Sequence, residues 1–487
     1  MISFLVIFFG IFWISKIEAT GLTCSNSIIQ YNLPQNLSQS QYFPISPNDT
    51  LFAPNQICRF KINIPSGYNI DLSFSASFPN GSSSITIIDS INQTKTYENS
   101  TVTTQNAYFL SPGGSIYVST GKTGGTFRME IKYYKFRTAF QSNFFISSNS
   151  RDPLSLPSNF SNPTVFSIDS SASQISLITI PRTSDLSNLQ ATVIFDGPSV
   201  DSRYLGSLYD QYVSKNQFIS SGRYLTLYTL GSESIYNNNN NAQIILQDSA
   251  ITQQFSTFSG ISMEISPKLI TIPPLKSFGF VTFSEEPEFL ISANLNNDST
   301  IDCYFGASFE DRKMASYDKS NCGDALPQEF RAVLRTYVVK RDNGVENVTM
   351  VLGRNREDSG FQDAKIGRKG FITSQFYKST NAGYSSDTFT SSNSEMLAFN
   401  LKIREIDLTQ NNSLIITNDL KTTIYDRNNN PNGKDLMILG KSFNFQYRSN
   451  FINQGMFIDF EISKSGSSFK FQLNLLIFYA FFWILIE

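Results

Sequence analysis

Short runs that alternate apolar and polar side chains recur along nearly the whole chain, and no amphipathic helix longer than two or three turns accompanies them. Tyr68–Phe74 reads YNIDLSF, Ser84–Ile88 SITII, Thr126–Ile131 TFRMEI, Gln174–Ile180 QISLITI and Leu225–Leu230 LTLYTL; Ala332–Val339 and Leu414–Thr417 continue the series. Successive side chains of a strand point to opposite faces, so a period of two belongs to half-buried pleated sheet. Turn formers cut the runs at short intervals: Pro79-Asn80-Gly81, Pro112-Gly113-Gly114, Lys122–Gly125 and Asn432-Gly433. Many short strands so spaced predict an all-β chain of sandwiches or jelly rolls. The 43 Phe and 22 Tyr, with only 16% charged residues, suit such strands better than helices.

The same composition removes several chemistries. The chain has no histidine, the commonest metal ligand and the side chain that titrates near neutrality. Ser-His-Asp and Cys-His catalysis and His-ligated zinc or iron are therefore excluded. Glycoside hydrolysis by a carboxylate pair needs no histidine, but nothing in the spacing of the 40 acids singles out a pair. No cofactor is expected. A net charge of −2 gives no global attraction to nucleic acid or anionic lipid. The most basic stretch, Arg331–Lys369, has acids interleaved throughout and reads as a solvated face. The polar runs Tyr236–Asn241 and Asn428–Gly433 read as solvated connections.

Both ends carry apolar segments. Phe4–Ile14 is followed by Ile17-Glu18-Ala19 or Ala19-Thr20-Gly21, the pattern of a cleaved signal peptide over residues 1–19, although no Lys or Arg precedes it. Leu473–Ile486 follows the small residues Ser463–Ser468, as in a glycosylphosphatidylinositol attachment signal over 464–487, with Ser465 or Gly466 as the attachment residue. A single span starting at Phe469 is the alternative. Four cysteines lie between these segments, and local spacing pairs Cys24 with Cys58 and Cys303 with Cys322. No C-x-x-C exists to support a zinc site. Glycosylation triplets occur at Asn36, Asn48, Asn80, Asn92, Asn99, Asn159, Asn297, Asn347 and Asn411, and those in use must sit on surface loops.

A strand ending in Asp occurs three times, at Ile85–Asp89, Thr192–Asp196 and Thr423–Asp426. After the first and third, a Ser and a Gly-x-Phe lead into a further strand, at Ser119–Phe127 and Ser449–Phe457. The unit is about 100–120 residues, the size of one sandwich. Asp196-Gly197 also has the form of a hairpin turn.

Phe195-Asp196-Gly197 with Leu205-Gly206, Ser119–Phe127, and the opening of the first unit (Cys24, Cys58-Arg59-Phe60, Pro65-Ser66-Gly67-Tyr68) resemble CUB domains, which are extracellular jelly-roll sandwiches. The whole chain resembles the divergent nematode CUB-like proteins, which are secreted or membrane-anchored. The resemblance implies CUB-like sandwiches at 20–136, 137–266 and 360–463, with a β-rich module of uncertain type at 267–359. Cys303-Tyr304 and Cys322-Gly323 hint at the family's second disulfide.

Many CUB domains bind calcium through an Asp six residues before the strand-ending Asp; here Ser83, Gln190 and Leu420 stand there, and Asp185 and Asp201 do not fit the pattern, so no metal site is expected. The resemblance implies a surface-tethered recognition or adhesion glycoprotein with a glycan or protein ligand, of a kind linked to innate defence. A structural surface-coat glycoprotein is the alternative, and a carboxylate-pair glycoside hydrolase the remote one. No catalytic residue is named.

Overall fold

The computed structural model describes residues 22–465 apart from 25–26, 46–50, 79–82, 99–100, 184–185, 232–241, 343–345, 376, 378–383, 410 and 450–453. The expected signal peptide, Asn48, Asn80, Asn99, Asp185, Tyr236–Asn241, Gly466 and Leu473–Ile486 lie outside the described residues. Among those described, no helix is long and apolar enough to cross a membrane.

The first module holds β1 (Ile29–Tyr31), β2 (Gln41–Phe43), β3 (Leu51–Phe52), β4 (Ile57–Asn63) and β5 (Tyr68–Ser77). It continues with β6 (Ser84–Ile88), β7 (Thr94–Glu98), β8 (Val102–Leu110), β9 (Gly113–Ser119) and β10 (Gly125–Lys135). They form two sheets, ordered β1-β4-β9-β6-β7 and β2-β10-β5-β8, with β3 beside β10. Alternation decides what lies between them. Cys58, Phe60 and Ile62 of β4 face Phe127, Met129 and Ile131 of β10 in one core. The Cys24–Cys58 disulfide ties the segment before β1 to that core.

The second module comprises β11 (Ser142–Ile146), β12 (Leu154–Pro157), β13 (Thr164–Ile168), β14 (Ile175–Pro181), β15 (Thr192–Asp196), β16 (Arg203–Ser207), β17 (Phe218–Ile219), β18 (Tyr224–Thr229) and β19 (Ala242–Asp248). Its sheets run β11-β13-β18-β15-β16 and β12-β19-β14-β17. The third comprises β20 (Thr257–Gly260), β21 (Lys268–Ile272), β22 (Ser277–Phe283), β23 (Glu288–Asn294), β24 (Ser299–Phe305), β25 (Lys313–Tyr317), β26 (Gln328–Phe330), β27 (Leu334–Arg341) and β28 (Val348–Gly353). Its sheets run β20-β22-β27-β24-β25 and β21-β28-β23-β26. In chain order these wirings are the same as the first module's without β3. In all three the opening strand pairs in parallel, as β1 with β4, β11 with β13 and β20 with β22.

The fourth module comprises β29 (Lys369–Thr373), β30 (Ser385–Thr390), β31 (Leu397–Ile406), β32 (Ser413–Asn418), β33 (Thr422–Tyr425), β34 (Asp435–Gly440), β35 (Ser442–Arg448) and β36 (Met456–Lys464). Its sheets, β29-β36-β31-β34 and β30-β35-β32-β33, repeat the scheme without the parallel strand.

The modules are fused by apolar junctions. Phe136 wedges against Phe195 and Tyr228 where the first module meets the second, with Leu110 and Val193 in the same cluster. At the next junction Ile178, Ile180 and Ile245 meet Phe258, Val281, Tyr304 and Val338. That contact explains why β14 and β19 are buried along their whole length: their sheet has a core on each face. Crossed ion pairs, Arg151–Asp311 at 2.6 Å and Arg312–Asp152 at 3.2 Å, edge this junction. The last junction shares cores outright, since Phe371, Tyr377 and Phe457 complete the third module's cluster and Phe289 joins the fourth's.

Four expectations are corrected. Residues 267–359 are a further copy of the first module's wiring, and the boundary lies earlier than 266, because Thr257–Gly260 pairs with β22. The overlooked signature is Tyr304-Phe305-Gly306. Thr226 Oγ1 donates to the Gly197 carbonyl at 2.7 Å and Thr336 Oγ1 to the Gly306 carbonyl at 2.6 Å, and both glycines have positive φ. A side chain there would be strained in that backbone conformation, and at Gly197 it would also strike Ser202.

Second, Asp89 and Asp196 close equivalent strands, β6 and β15, but Asp426 follows β33, the hairpin partner. Asp419, after β32, holds the equivalent place. It accepts from the Lys441 and Ser442 amides across the sheet, as Asp196 accepts from the Ser221 amide. A hairpin's two strands share one period, so alternation could not tell them apart.

Third, the basic stretch is no solvated face: Arg331, Arg335, Arg341 and Arg368 are all buried. Fourth, Cys303 and Cys322 carry free thiols. Cys303 is buried in the third core, and Cys322, packed against the same core, turns its sulfur to the carbonyls of Ala293 and Lys319.

Candidate functional site

A cleft of ≈ 330 Å³ opens beside the first junction, and both modules supply its walls. The first module contributes Asp89 from the end of β6, Gln93 from the turn, Lys95 from β7 and Tyr108 from β8. The second contributes Gln190, just before β15, then Tyr204 and Ser207 from β16 and Tyr209 and Asp210 from the helix α1 (Leu208–Val213).

Local chemistry fixes both walls. Asp89 Oδ1 accepts from the amides of Ile91 at 3.0 Å and Gln93 at 2.8 Å, which shapes the β6–β7 turn. Across the cleft, the Ser207 hydroxyl accepts from the Asp210 amide, and Asp210 Oδ2 accepts from the Ser207 amide at 2.7 Å. This reciprocal cap starts α1 directly after β16 and sets Tyr209 and Asp210 at the mouth.

Lys95 is the centre of the arrangement. Its ammonium lies 5.1 Å from the Tyr97 ring centroid and 5.2 Å from that of Tyr209, an aromatic pair drawn from both modules. With the amides oriented to satisfy their partners, Gln190 accepts from Lys95 Nζ at 2.7 Å, and Gln93 donates to Asp210 Oδ1 at 2.9 Å. Burial lowers the Lys95 pKa, and Asp210 opposes that shift. Burial raises the Asp89 pKa; the Gln93 and Ile91 amides pull it back and Asp210 adds to the rise. The Tyr97 hydroxyl is buried without a hydrogen-bond partner, and burial, then Tyr209, pushes its pKa up to about 12. Tyr204 is raised well above its ordinary value by burial and the two carboxylates.

The cleft thus offers tyrosine faces, side-chain amides, one desolvated ammonium and two carboxylates. Flat aromatic surfaces with a few convergent polar groups suit a polar ligand such as a sugar or an extended peptide. Asp89 and Asp210 also meet the minimum of two acids on one cleft, but Asp89 Oδ1 is committed to its turn and Asp210 Oδ2 to the start of α1. Among the described residues no cluster of three or more acids and thiols could hold a metal ion.

Sequence reasoning reached three parts of this site: Asp89 and the Leu205-Gly206 stretch, read as a module signature, and Gln190, read only as a residue that cannot bind calcium. It missed Gln93, Lys95, Tyr108 and Tyr209, which come together only because two modules dock. The one available signal was Ser207-x-x-Asp210, a helix start where strands were expected. Elsewhere, Ser83 is buried and accepts from the Gly121 amide at 2.7 Å, while Leu420 and Asp201 are exposed. Asn36, Asn92, Asn159, Asn297, Asn347 and Asn411 all lie exposed on the surface, and Ser465 is the last described residue.

Residues 19–137 match the CUB-like domain. Residues 145–230 match a domain of unknown function (DUF7592) and residues 250–351 another (DUF7591). These stretches fall on the first three modules; the fourth lies outside all of them. No curated protein matches the chain. Among solved structures it is similar to the CUB1-EGF-CUB2 domains of rat MASP-1, at 11% identity over 42% of this chain and 99% of that chain, with a TM-score of 0.17. The corresponding human MASP-1/3 domain is 9% identical over 40% of this chain and 99% of that chain, again at 0.17. The full extracellular region of zebrafish Gpr126/Adgrg6 is 10% identical over 92% of this chain and 53% of that chain, at 0.17. The fold rests on the strand wiring and the CUB-like match, not on these distant likenesses.

Proposed function

We propose that the chain is an extracellular recognition or adhesion glycoprotein that grips a glycan or protein segment in the cleft between its first two modules. The observation that carries this reading is the cleft itself, where Lys95 is held between Tyr97 and Tyr209 and ringed by amides and acids. Support for an extracellular setting comes from the CUB-like domain, the Cys24–Cys58 disulfide and six exposed glycosylation triplets. In this reading residues 1–19 export the protein and residues 464–487 tether it to the outer membrane face, and the role is non-catalytic. Defence against microbes is its biological setting, by resemblance to CUB-like proteins of that kind.

The test is saturable binding of residues 22–465 to microbial glycans and bacterial surfaces. Lys95→Met and Tyr209→Ala are each expected to weaken binding about tenfold or more, as loss of a desolvated polar or stacking contact does. Binding that never saturates on any surface favours a spacer role in a surface coat. Release of reducing sugar that Asp89→Asn abolishes makes the cleft catalytic and refutes the reading.

A further inference from the structure

The free end of the fourth module carries apolar side chains where turn chemistry calls for polar ones. Asn418-Asp419-Leu420-Lys421 joins β32 to β33, and Leu420 at its tip is 73% exposed. Asp419 binds the Lys441 and Ser442 amides and Asn418 Nδ2 donates to the Leu439 carbonyl at 2.8 Å, so the β34–β35 turn lies alongside. The chain leaves the last strand at this same end. Lys464 pairs with Leu397, whose other neighbour is Gly440. A groove of ≈ 420 Å³ between the edges of β33 and β34 opens here, with Leu420, Lys421 and Leu439 in its lining. Lys421, Lys441 and Lys464 are exposed around it, against Glu395 and Asp419.

The position of the following residues says what this end meets. Only eight residues separate Lys464 from the apolar run Leu473–Ile486. An extended chain advances at most about 3.3–3.6 Å per residue, so this face stays within about 30 Å of whatever holds that run. If Ser465 or Gly466 carries the anchor instead, the peptide part of the tether shrinks to one or two residues, followed by the anchor's short glycan. We infer that this end of the fourth module docks on the bilayer interface, with Leu420 and Leu439 at the acyl boundary and the three lysines among anionic headgroups. The inference rests on the tethering proposed above. Exposed aliphatic tips flanked by lysine match an interface that is apolar below and negatively charged above. In this arrangement the fourth module is the one that meets the membrane.

Both tryptophans, Trp13 and Trp483, lie outside residues 22–465, and all eight sheets and their cores lie within them. Leu420→Trp in that segment is therefore a single fluorescent reporter. The segment, with a hexahistidine tag after Ser465, is attached to phosphatidylcholine vesicles through a nickel-chelating lipid, with or without phosphatidylserine. On phosphatidylserine vesicles the emission of the Leu420→Trp variant is expected to shift to the blue and to be quenched by brominated acyl chains. Phe140→Trp, a reporter at the exposed Phe140 between the first and second modules, is expected to keep the spectrum of water. Lys421→Gln with Lys441→Gln is expected to remove the dependence on phosphatidylserine.

An unshifted emission from the attached Leu420→Trp variant overturns the inference. An equal shift on neutral vesicles overturns its electrostatic half. The nickel lipid replaces residues 466–487, so neither result bears on tethering. That reading fails separately if the full chain is recovered in culture medium rather than on cells.

Discussion

Single residues in this chain carry more buried charge than its composition suggests. Asp71 sits on β5 between Tyr108 and Lys132, and its Oδ1 is buried with no hydrogen-bond partner. Burial lifts its pKa from 3.8 to about 6, with Lys132 opposing and Glu130 adding to the rise. A carboxyl whose folded pKa is raised costs nothing while neutral in both states, below about pH 4. From about pH 4 to 6 the unfolded chain ionises this group while the folded carboxyl stays protonated, so stability falls across that window and levels off above it. Asp71→Asn is therefore expected to stabilise the first module by about 2 kcal/mol at neutral pH and by nothing at about pH 3 or below. Thermal melts of both proteins across that range check it, and a gain independent of pH would assign the effect to packing instead.

At the scale of elements, the wiring makes Asp419, not Asp426, the counterpart of Asp196. Asp419 bonds the start of β35 from 22 residues away, whereas Asp426 Oδ1 accepts only from the neighbouring Asn428 and Asn429 amides. Asp419→Ala is expected to cost about 1–2 kcal/mol and Asp426→Ala about 0.5 kcal/mol or less, read from the fourth module's chemical denaturation. Equal costs would remove the assignment.

The same pair shows how far the fold could be read in advance. Period-two runs such as Tyr68–Phe74 and Ser84–Ile88 announced their strands, because alternate side chains met a core. Pairing is not written in that period, so β32 and β33 were interchangeable and β20 was assigned to the wrong module. Tyr304-Phe305-Gly306 escaped notice because the strand-ending Asp had become a Phe that packs against Tyr377 of the next module. The cleft was less legible still. Its two walls come from turns about 115 residues apart along the chain, and nothing local to Lys95 foretells Tyr209.

Across the whole molecule, what distinguishes a rigid stack from beads on a string is the chemistry between modules. The third junction carries its own charges. Arg331 bonds Glu329 Oε2 at 2.8 Å and also Asp387, while Arg356 bonds Glu329 Oε1 at 2.5 Å and the other Asp387 oxygen. Glu329 and Arg331 belong to the third module and Asp387 to β30 of the fourth, and all three are buried. Burial, reinforced by Glu329, pushes the Asp387 pKa up to about 7 against the two arginines. Such a quartet holds while complete and becomes a liability when broken, since desolvation of the remaining charges is no longer offset. Arg331→Met strands two carboxylates on the half-exposed Arg356 alone, an expected loss of about 3–5 kcal/mol. The neighbouring apolar contacts, Phe330 on Phe371 and Phe289 on Phe361, remain. With those contacts kept, the variant should loosen the junction rather than separate the modules, raising protease cleavage in the connection 354–368 and enlarging the radius of gyration in solution scattering. Adding Glu329→Gln and Asp387→Asn removes the stranded charges, and most of the loss should return. If Arg331→Met alone leaves protection and dimensions unchanged, the apolar contacts suffice, and the stack owes its stiffness to shared cores rather than to these ions.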